Sequence, residues 1–483
     1  MKFSKFNIII KDGNEPYIWN TKSNAVSKLD APTFQRLVEI KPEFILPDDF
    51  PFLDYMSANG FVVDDEFDET GEILREWSRT IDDTAPSSLS ITLAPGMGCN
   101  YNCPYCFENG KRGGSRMTYE TADAVVWFIR KKIDSNPSLK TISLNGFGGE
   151  PLMYIDVFER ICHPLIRLCD ERGIRFKGHV ITNAYFLTDD IVDRLVKCRI
   201  TSAQVSIDGM PEVYAAGKGV PAKAFYRVVD NIVTACNRAC NRMRISVRVN
   251  VPRDGLDNAR ELRDYLMQER GLDGKISIYI ANTRLYGASL ETEKANFANW
   301  CEMDKKFIES FDPDKGSFNF KSLTQKISGS HSSPCKNICR YNACIGPEGE
   351  LYPCEHYFGD GRYVCGSIFS GANDTKISEE FRKVKLPDNK DCGSCALFPV
   401  CMGGCPDDNI HSRNIIECDM YREHLVDRKL LEIRIHNRLI NESCASGFKT
   451  IKEKNYGTRK RCSGEANLSV REKDQVHSGS ALF

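Results

Sequence analysis

Strand-like and helix-like patterns alternate through the middle of the chain. Residues 89–93 alternate apolar and polar side chains, the period of a strand with one buried face. Thr118 stands where a helix over 119–133 needs its N-cap. Strand patterns follow at 141–147, 176–182, 202–207, 244–250 and 275–281. Helical patterns separate them near 155–169 and at 189–197, 224–236 and 256–268. Strands divided by single helices predict a parallel sheet. Six such units are too few for a closed eight-fold barrel. The fold class expected is therefore α/β, a partial (β/α)6 TIM-like barrel with ligands at the carboxyl ends of its strands.

The flanks follow other patterns. Residues 6–10 and 17–19 read as a hairpin around Gly13-Asn14-Glu15-Pro16. Helices are expected at 32–40, 50–58 and 72–81, with a short strand at 60–63. Residues 64–69 are almost all acidic and read as a solvated face. A bridging helix is expected at 291–311 and an amphipathic or basic helix at 421–440 that packs back on the barrel. From residue 446 the chain is polar and expected to be disordered. The divisions are an N-terminal unit at 1–85, the barrel at 86–288, a bridge at 289–330, a cysteine-rich domain at 331–425, a helix at 426–445 and the tail at 446–483.

Composition narrows the function classes. The 483 residues carry a formal net charge of -1, so no basic field argues for nucleic acid. No apolar run is long enough to span a bilayer, and the first residues lack the apolar core of a signal peptide. A cytoplasmic protein with no membrane partner is expected. In a reducing compartment its 21 cysteines point to metal ligands or buried thiols rather than disulfides. Cys162, Cys169, Cys198, Cys236, Cys240 and Cys301 are scattered and read as small core hydrophobes.

Cys99, Cys103 and Cys106 are different: three soft donors lie within eight residues, directly after the first strand. A closed site wants four ligands. A 4Fe–4S cluster with one iron open to a small molecule accounts for three, and half of a zinc site completed from elsewhere is the other reading. Gly148-Gly149-Glu150-Pro151 follows the second strand, where two glycines let backbone approach a ligand closely. Its carbonyls and Glu150 are acceptors for an ammonium group. Thr182-Asn183 ends the third strand, and Ser206-Ile207-Asp208-Gly209 the fourth. The x3-then-x2 cysteine spacing with Tyr105, one strand before the Gly-Gly-Glu-Pro turn, resembles the radical S-adenosylmethionine (SAM) enzymes. The resemblance implies a SAM pocket lined by Tyr105, Gly148, Gly149, Glu150, Pro151, Asn183 and Ser206. It also implies Lys218, which stands where relatives often carry an Arg for the SAM carboxylate. Lysine keeps the charge without the two-pronged geometry. Asp208 is read as structural at its turn.

Ten further cysteines crowd between Cys335 and Cys418. Cys392-x2-Cys395-x5-Cys401-x3-Cys405, followed by Cys418 and preceded by Gly349-x4-Cys354, resembles the SPASM domain of peptide-modifying radical SAM enzymes. A pair of zinc ribbons is the competing reading. The resemblance implies two auxiliary 4Fe–4S clusters, three clusters in all. The first takes Cys335, Cys339, Cys354 and Cys405. The second takes Cys392, Cys395, Cys401 and Cys418. Cys335 and Cys339 stand closer together than in the sulfatase-maturing relatives. If one of them is not a ligand, the first auxiliary cluster has an open iron; Cys344 and Cys365 lie nearby as substitutes, but read first as single buried thiols. Glu355 stands where those relatives place a proposed catalytic base. Its other reading is a carboxylate that bonds amides beside the cluster, and His356 reads as a neighbour rather than a ligand.

The expected function is a maturase of a ribosomally made precursor peptide. It is expected to cleave SAM to a 5′-deoxyadenosyl radical and to close a Cys thioether crosslink. The alternative is an anaerobic sulfatase maturase that converts Cys or Ser to formylglycine. The N-terminal unit resembles winged-helix-like domains that bind a leader peptide, with accessory packing as its plainer role. A flavodoxin or ferredoxin type donor is expected to supply electrons.

Overall fold

The computed structural model describes residues 1–39, 52–111, 114–285, 288–311, 330–372, 375–388 and 391–445. Its centre is one parallel sheet built from β1 (Ser88–Leu93), β2 (Thr141–Gly146), β3 (Arg175–Thr182), β4 (Ile200–Ser206), β5 (Arg244–Val251) and β6 (Ile276–Asn282). Each strand pairs in parallel with the next in sequence, with a helical crossover between them. Along β2, β3 and β5 buried and half-buried residues alternate strictly, so one face meets the helices. Ile142, Leu144, Val180, Val247 and Val249 on that face join one core with Val125, Phe158, Leu195 and Ile232 of the helices. The other face is polar: Tyr279 donates to Gln204 at 2.8 Å and His179 bonds Ser202 at 2.8 Å. Burial holds His179 neutral, its pKa pushed down to about 4.

The crossover helices are α1 (Tyr119–Ser135), α2 (Ile155–Glu171), α3 (Asp189–Lys197), α4 (Pro211–Lys218), α5 (Lys223–Ala239) and α6 (Leu256–Asp264). Thr118 caps α1 by accepting from the Thr121 amide at 3.1 Å. The short helix α4 has no counterpart in the sequence patterns. Pro211 opens it and Gly219, left-handed at φ +65°, closes it.

The sheet does not end at six strands. β7 (Ala343–Ile345) adds in parallel to β1, and β8 (Leu351–Tyr352) adds antiparallel to β7. Both come from the cysteine-rich region, which is thereby stitched onto the edge of the barrel. They are too short to show a period.

The N-terminal unit holds a three-stranded antiparallel sheet (Asn7–Asp12, Glu15–Asn20, Val26–Lys28) and helices Ala31–Glu39, Leu53–Ala58 and Glu69–Ile81. The acidic stretch is only partly a solvated face. Asp68 caps the last of these helices through the Gly71 amide, and Glu69 is buried where it accepts from Ser4 and the Lys5 amide. This unit leans on the cysteine-rich region, since Lys5 Nζ and Thr70 Oγ1 both donate to the Gly393 carbonyl. Cys240 also departs from expectation. It is exposed and left-handed at φ +45°, because it ends α5 rather than filling the core. Part of the bridging stretch and the tail from residue 446 lie outside the described residues. Among the described residues no helix is long and apolar enough to cross a membrane.

Helix α7 (Leu290–Ile308) crosses from the barrel, and α8 (Cys418–Ala445) packs along it. Their contact hides a charge pair: Arg428 donates to Asp304 at 2.9 Å beside His424, with all three side chains buried. Burial pushes His424 down to about 4, so the charge that faces Asp304 in this pair is that of Arg428. Farther along, Arg434 reaches Asp12 at 2.8 Å, so α8 also clamps the N-terminal sheet. Replacing Asp304 by Ala strands a buried guanidinium and is expected to cost about 3 kcal/mol of unfolding free energy. Urea unfolding checks this against Glu302→Ala in the exposed Lys306–Glu302 pair, which should leave the midpoint unchanged.

Candidate functional site

The carboxyl ends of β1 to β5 converge on the loop that carries Cys99, Cys103 and Cys106, all three half-buried. The loop is held by backbone. Glu150 N donates to the Gly98 carbonyl at 2.9 Å, and Asn102 N to the Lys218 carbonyl at 3.2 Å. Gly148 and Gly149 are left-handed at φ +75° and +45°. A Cβ on Gly149 would stand 2.1 Å from the Gly98 oxygen, and one on Gly148 would stand 2.6 Å from the Ala94 Cβ. Only glycine lets these two turns touch. Two residues without a local signal complete the cradle. Glu108 accepts from the Gly149 amide at 2.9 Å, and the Tyr154 hydroxyl accepts from the Gly98 amide at 3.1 Å.

Glu150 is turned inward and buried. One oxygen accepts from the Leu152 amide and the Thr182 hydroxyl, and the other from the Asn183 amide at 2.8 Å. Burial pushes its pKa up to about 7 against those bonds. The carboxylate thus ties the second strand end to the third and has used three of its roughly four acceptor positions. Pro151 opens the short turn Pro151–Tyr154 that follows. Asn183 reaches back to the loop, donating to the Asn100 side chain at 2.8 Å, with Cys99 Sγ at 4.0 Å.

Ser206, Asp208, Lys218, Tyr105 and Asn250 form a second network. Lys218 Nζ donates to the Tyr105 hydroxyl at 2.7 Å and to Ser206 Oγ at 2.9 Å, and pairs with Asp208 at 3.2 Å. These partners match the three N–H donors of its ammonium. Tyr105 in turn donates to Asp208 at 2.5 Å, and Asn250 donates to Asp208 at 3.0 Å. Burial, then the Asp208 charge, pushes the Tyr105 phenol far up, so it stays a donor. Asn250 is the next-to-last residue of β5 and was not singled out from the sequence.

On its other side the loop meets the cysteine-rich region. Phe107 lies between Phe147, at 5.9 Å, and His356, at 4.8 Å between ring centres. Lys111 Nζ donates to the His356 carbonyl at 2.9 Å. Between them a cavity of about 300 Å³ is walled by Phe107, Lys111, His356, Tyr357, His411 and Arg413. Asp407 lines it too. Burial opposes its charge, but His356, Tyr357 and Arg413 outweigh that and hold its carboxyl at about 2.

The cysteines farther along fall into groups. Cys392, Cys395 and Cys418 are the thiols whose charge bears on Cys401. Cys335, Cys405 and Cys344 are those that bear on Cys354. Cys339 stands apart, beside Asp83 and Lys132 of the barrel side. Glu355 points into the second of these groups. Its Oε2 accepts from Asn337 and lies 3.8 Å from Cys344 Sγ and 3.9 Å from Cys354 Sγ. Burial raises its pKa, but Lys336 and His356 outweigh that and hold it below the ordinary value. Among the described residues no three His, Cys, Asp or Glu side chains are disposed to hold a single metal ion. Three thiols on one loop, backed by close-packed backbone and beside the polar face of the sheet, are a donor set suited to an iron–sulfur cluster with an open position.

Comparison with known proteins agrees with this geometry. Residues 93–266 match the Radical SAM superfamily. The radical SAM cyclopropyl synthase TigE of Paramaledivibacter caminithermalis is 25% identical over 221 residues, 40% of this chain and 46% of that protein, so less than half of that relative's length is matched. The mycofactocin maturase MftC of Mycobacterium tuberculosis is 24% identical over 356 residues, 69% of this chain and 81% of that one. The solved structure of native anSMEcpe with bound AdoMet superposes with a TM-score of 0.52 at 17% identity, over 74% of this chain and 100% of that one, a likeness of fold.

The glycine cradle yields a direct test. Ala at Gly149 or at Gly173 (φ +68°, open space around it) pays about 1 kcal/mol for a left-handed backbone. At Gly149 the contact with the Gly98 carbonyl adds to that. Thermal unfolding of Gly149→Ala is expected at a clearly lower temperature than that of Gly173→Ala.

Proposed function

We propose that this chain, whose residues 93–266 match the Radical SAM superfamily, is a radical SAM peptide maturase. The observation that carries this reading is the cysteine loop at the carboxyl end of β1, packed backbone to backbone on the Gly-Gly-Glu-Pro turn. Cys99, Cys103 and Cys106 hold a 4Fe–4S cluster, Gly148 to Pro151 and Asn183 frame the SAM methionyl group, and Ser206 and Tyr105 line the pocket. When bound, this pair supplies one-electron cleavage of SAM to a 5′-deoxyadenosyl radical. Lys218 is a positioning residue here. Its donors hold Tyr105 and Ser206 in place and neutralise Asp208.

The substrate is a ribosomally made peptide whose reacting segment sits in the cavity between Phe107 and His411. That cavity has one wall from the cysteine loop and one from the cysteine-rich region, and Tyr357 and Tyr363 stack beside it at 4.0 Å. The cysteine-rich region holds two auxiliary 4Fe–4S clusters and takes up an electron from the substrate. The N-terminal unit binds the leader along the edge strand Val26–Lys28, whose Val26 is exposed. A flavodoxin or ferredoxin type protein donates the electron that starts each turnover.

The bond formed is a thioether between a substrate Cys sulfur and a peptide carbon. One hydrogen leaves the carbon with the deoxyadenosyl radical. The thiol proton is released, the carbon–sulfur bond closes, and the remaining electron passes to the cysteine-rich region. Formylglycine formation is the second reading. What favours it is Glu355, a charged carboxylate beside Cys354 held low by Lys336 and His356.

Anaerobic incubation with SAM, dithionite and a Cys-containing candidate peptide, sought as a short reading frame beside the gene, tests this by tandem mass spectrometry. Loss of two hydrogens with blocked cysteine alkylation is expected. A cysteine turned to an aldehyde makes the second reading correct. Replacing Cys99, Cys103 and Cys106 together by Ala should reduce 5′-deoxyadenosine to background. Deoxyadenosine formation that survives the triple replacement overturns the proposal.

A further inference from the structure

We propose that Cys344, rather than Cys339, is the fourth thiolate of the first auxiliary cluster, together with Cys335, Cys354 and Cys405. The inference rests on the auxiliary-cluster reading above and changes its membership.

Register is the first argument. Cys344 lies opposite Tyr352 across β7 and β8. Partners across a pair share a face, and a strand returns to that face every second residue. Cys354 is two residues beyond Tyr352 and its backbone is still extended, at φ -150° and ψ 148°. Cys344 and Cys354 are therefore diagonal neighbours on one face. Their sulfurs lie 3.8 Å and 3.9 Å from the same Glu355 oxygen. The third member is tied to the same oxygen from the side. Asn337 donates its side-chain amide to Glu355, and its backbone amide to Cys335 Sγ at 3.5 Å.

Packing gives the same membership. Cys344, Cys354 and Cys335 belong to one apolar cluster with Tyr352, Tyr357, Phe358 and Met402. Cys339 belongs to the core of the barrel instead. Its neighbours are Asp83, Lys132 of α1 and the amides of Tyr341 and Asn342. Cys339 lies four residues before the start of β7, outside the strand that places Cys344.

The consequence is chemical. Cys335, Cys344, Cys354 and Cys405 make a complete set of four. The second group, Cys392, Cys395, Cys401 and Cys418, is also complete. No open iron remains in the region for a substrate thiol, so its role in the thioether reaction is to accept an electron.

The test uses the full-length chain with Cys99, Cys103 and Cys106 replaced by Ala, so that only auxiliary iron is counted. After anaerobic reconstitution about eight irons per chain are expected from two four-iron clusters. Adding Cys339→Ala should leave the iron content and the electron paramagnetic resonance of the reduced protein unchanged. Adding Cys344→Ala should lower the iron by up to half or shift one of the two signals. Cys344→Ser, which keeps the size of the side chain, should hold the fold by circular dichroism and still shift that signal. A change with Cys339→Ala, or none with either Cys344 variant, overturns the inference while the auxiliary clusters stand. A triple-Ala protein that takes up no iron overturns the auxiliary-cluster reading itself.

Discussion

Two stretches of backbone touch at the mouth of the sheet, and the rest of the site is arranged around that touch. The turn at Gly148 and Gly149 lies against Ala94 and Gly98, at distances that no Cβ permits. Its two left-handed residues cost little because they are glycine. The contact is then locked by polar groups on both sides: Glu150 N on the Gly98 carbonyl, and Gly149 N on Glu108. A loop that carries three thiols at close spacing tends to be mobile. Here it inherits the rigidity of β1 and β2, the strands from which both turns emerge. Preorganised donors of this kind let a ligand bind without first ordering its site.

The buried charges extend the same logic outward. Glu150 spans two strand ends, and Lys218 spans the loop, the end of β4 and the turn after it. Each is surrounded by partners of its own chain, which is what makes burying it tolerable. Neither charge is therefore an open hand for a ligand. The resemblance to relatives with an Arg at position 218 suggests a direct contact with a carboxylate, whereas the geometry makes Lys218 the prop behind Tyr105 and Ser206. Arginine and lysine differ here as their shapes do: the point-like ammonium fits between three oxygens where a planar fork would not.

The alternation of strands and helices was legible because strands such as β2 and β5 alternate buried with half-buried residues, and periodicity reports that directly. The cysteine loop, the Gly-Gly-Glu-Pro turn and Asn183 were legible as positions because strand ends mark them. What was hidden is what depends on contact between distant segments. β7 and β8 have three and two residues, too few for a period to appear. Glu108 sits in a loop with nothing beside it in sequence to suggest that it would meet Gly149. The helix Pro211–Lys218 lacks an apolar stripe, although Pro211 and Gly219 were its punctuation. Cys240 was grouped with the buried cysteines although it falls beyond the helix expected at 224–236; it is the left-handed residue that closes the longer helix Lys223–Ala239.

β7 also explains how chemistry at two places can be kept in step. Cys344 pairs in register with Thr92, and Ile345 with Leu93, the last residue of β1. Ala94 then donates its amide to the Ile345 carbonyl at 2.9 Å, just before the cysteine loop begins. The same ladder thus sets the position of Cys344 and the start of the loop to Cys99. Across that ladder Phe107, Phe147, Phe358 and His356 fill the remaining gap with aromatic rings. A slip of one residue in β7 would turn Cys344 to the opposite face and carry Cys354 with it through β8. The separation between the two thiol groups is therefore a matter of sheet register, and the segment that fixes it is three residues long.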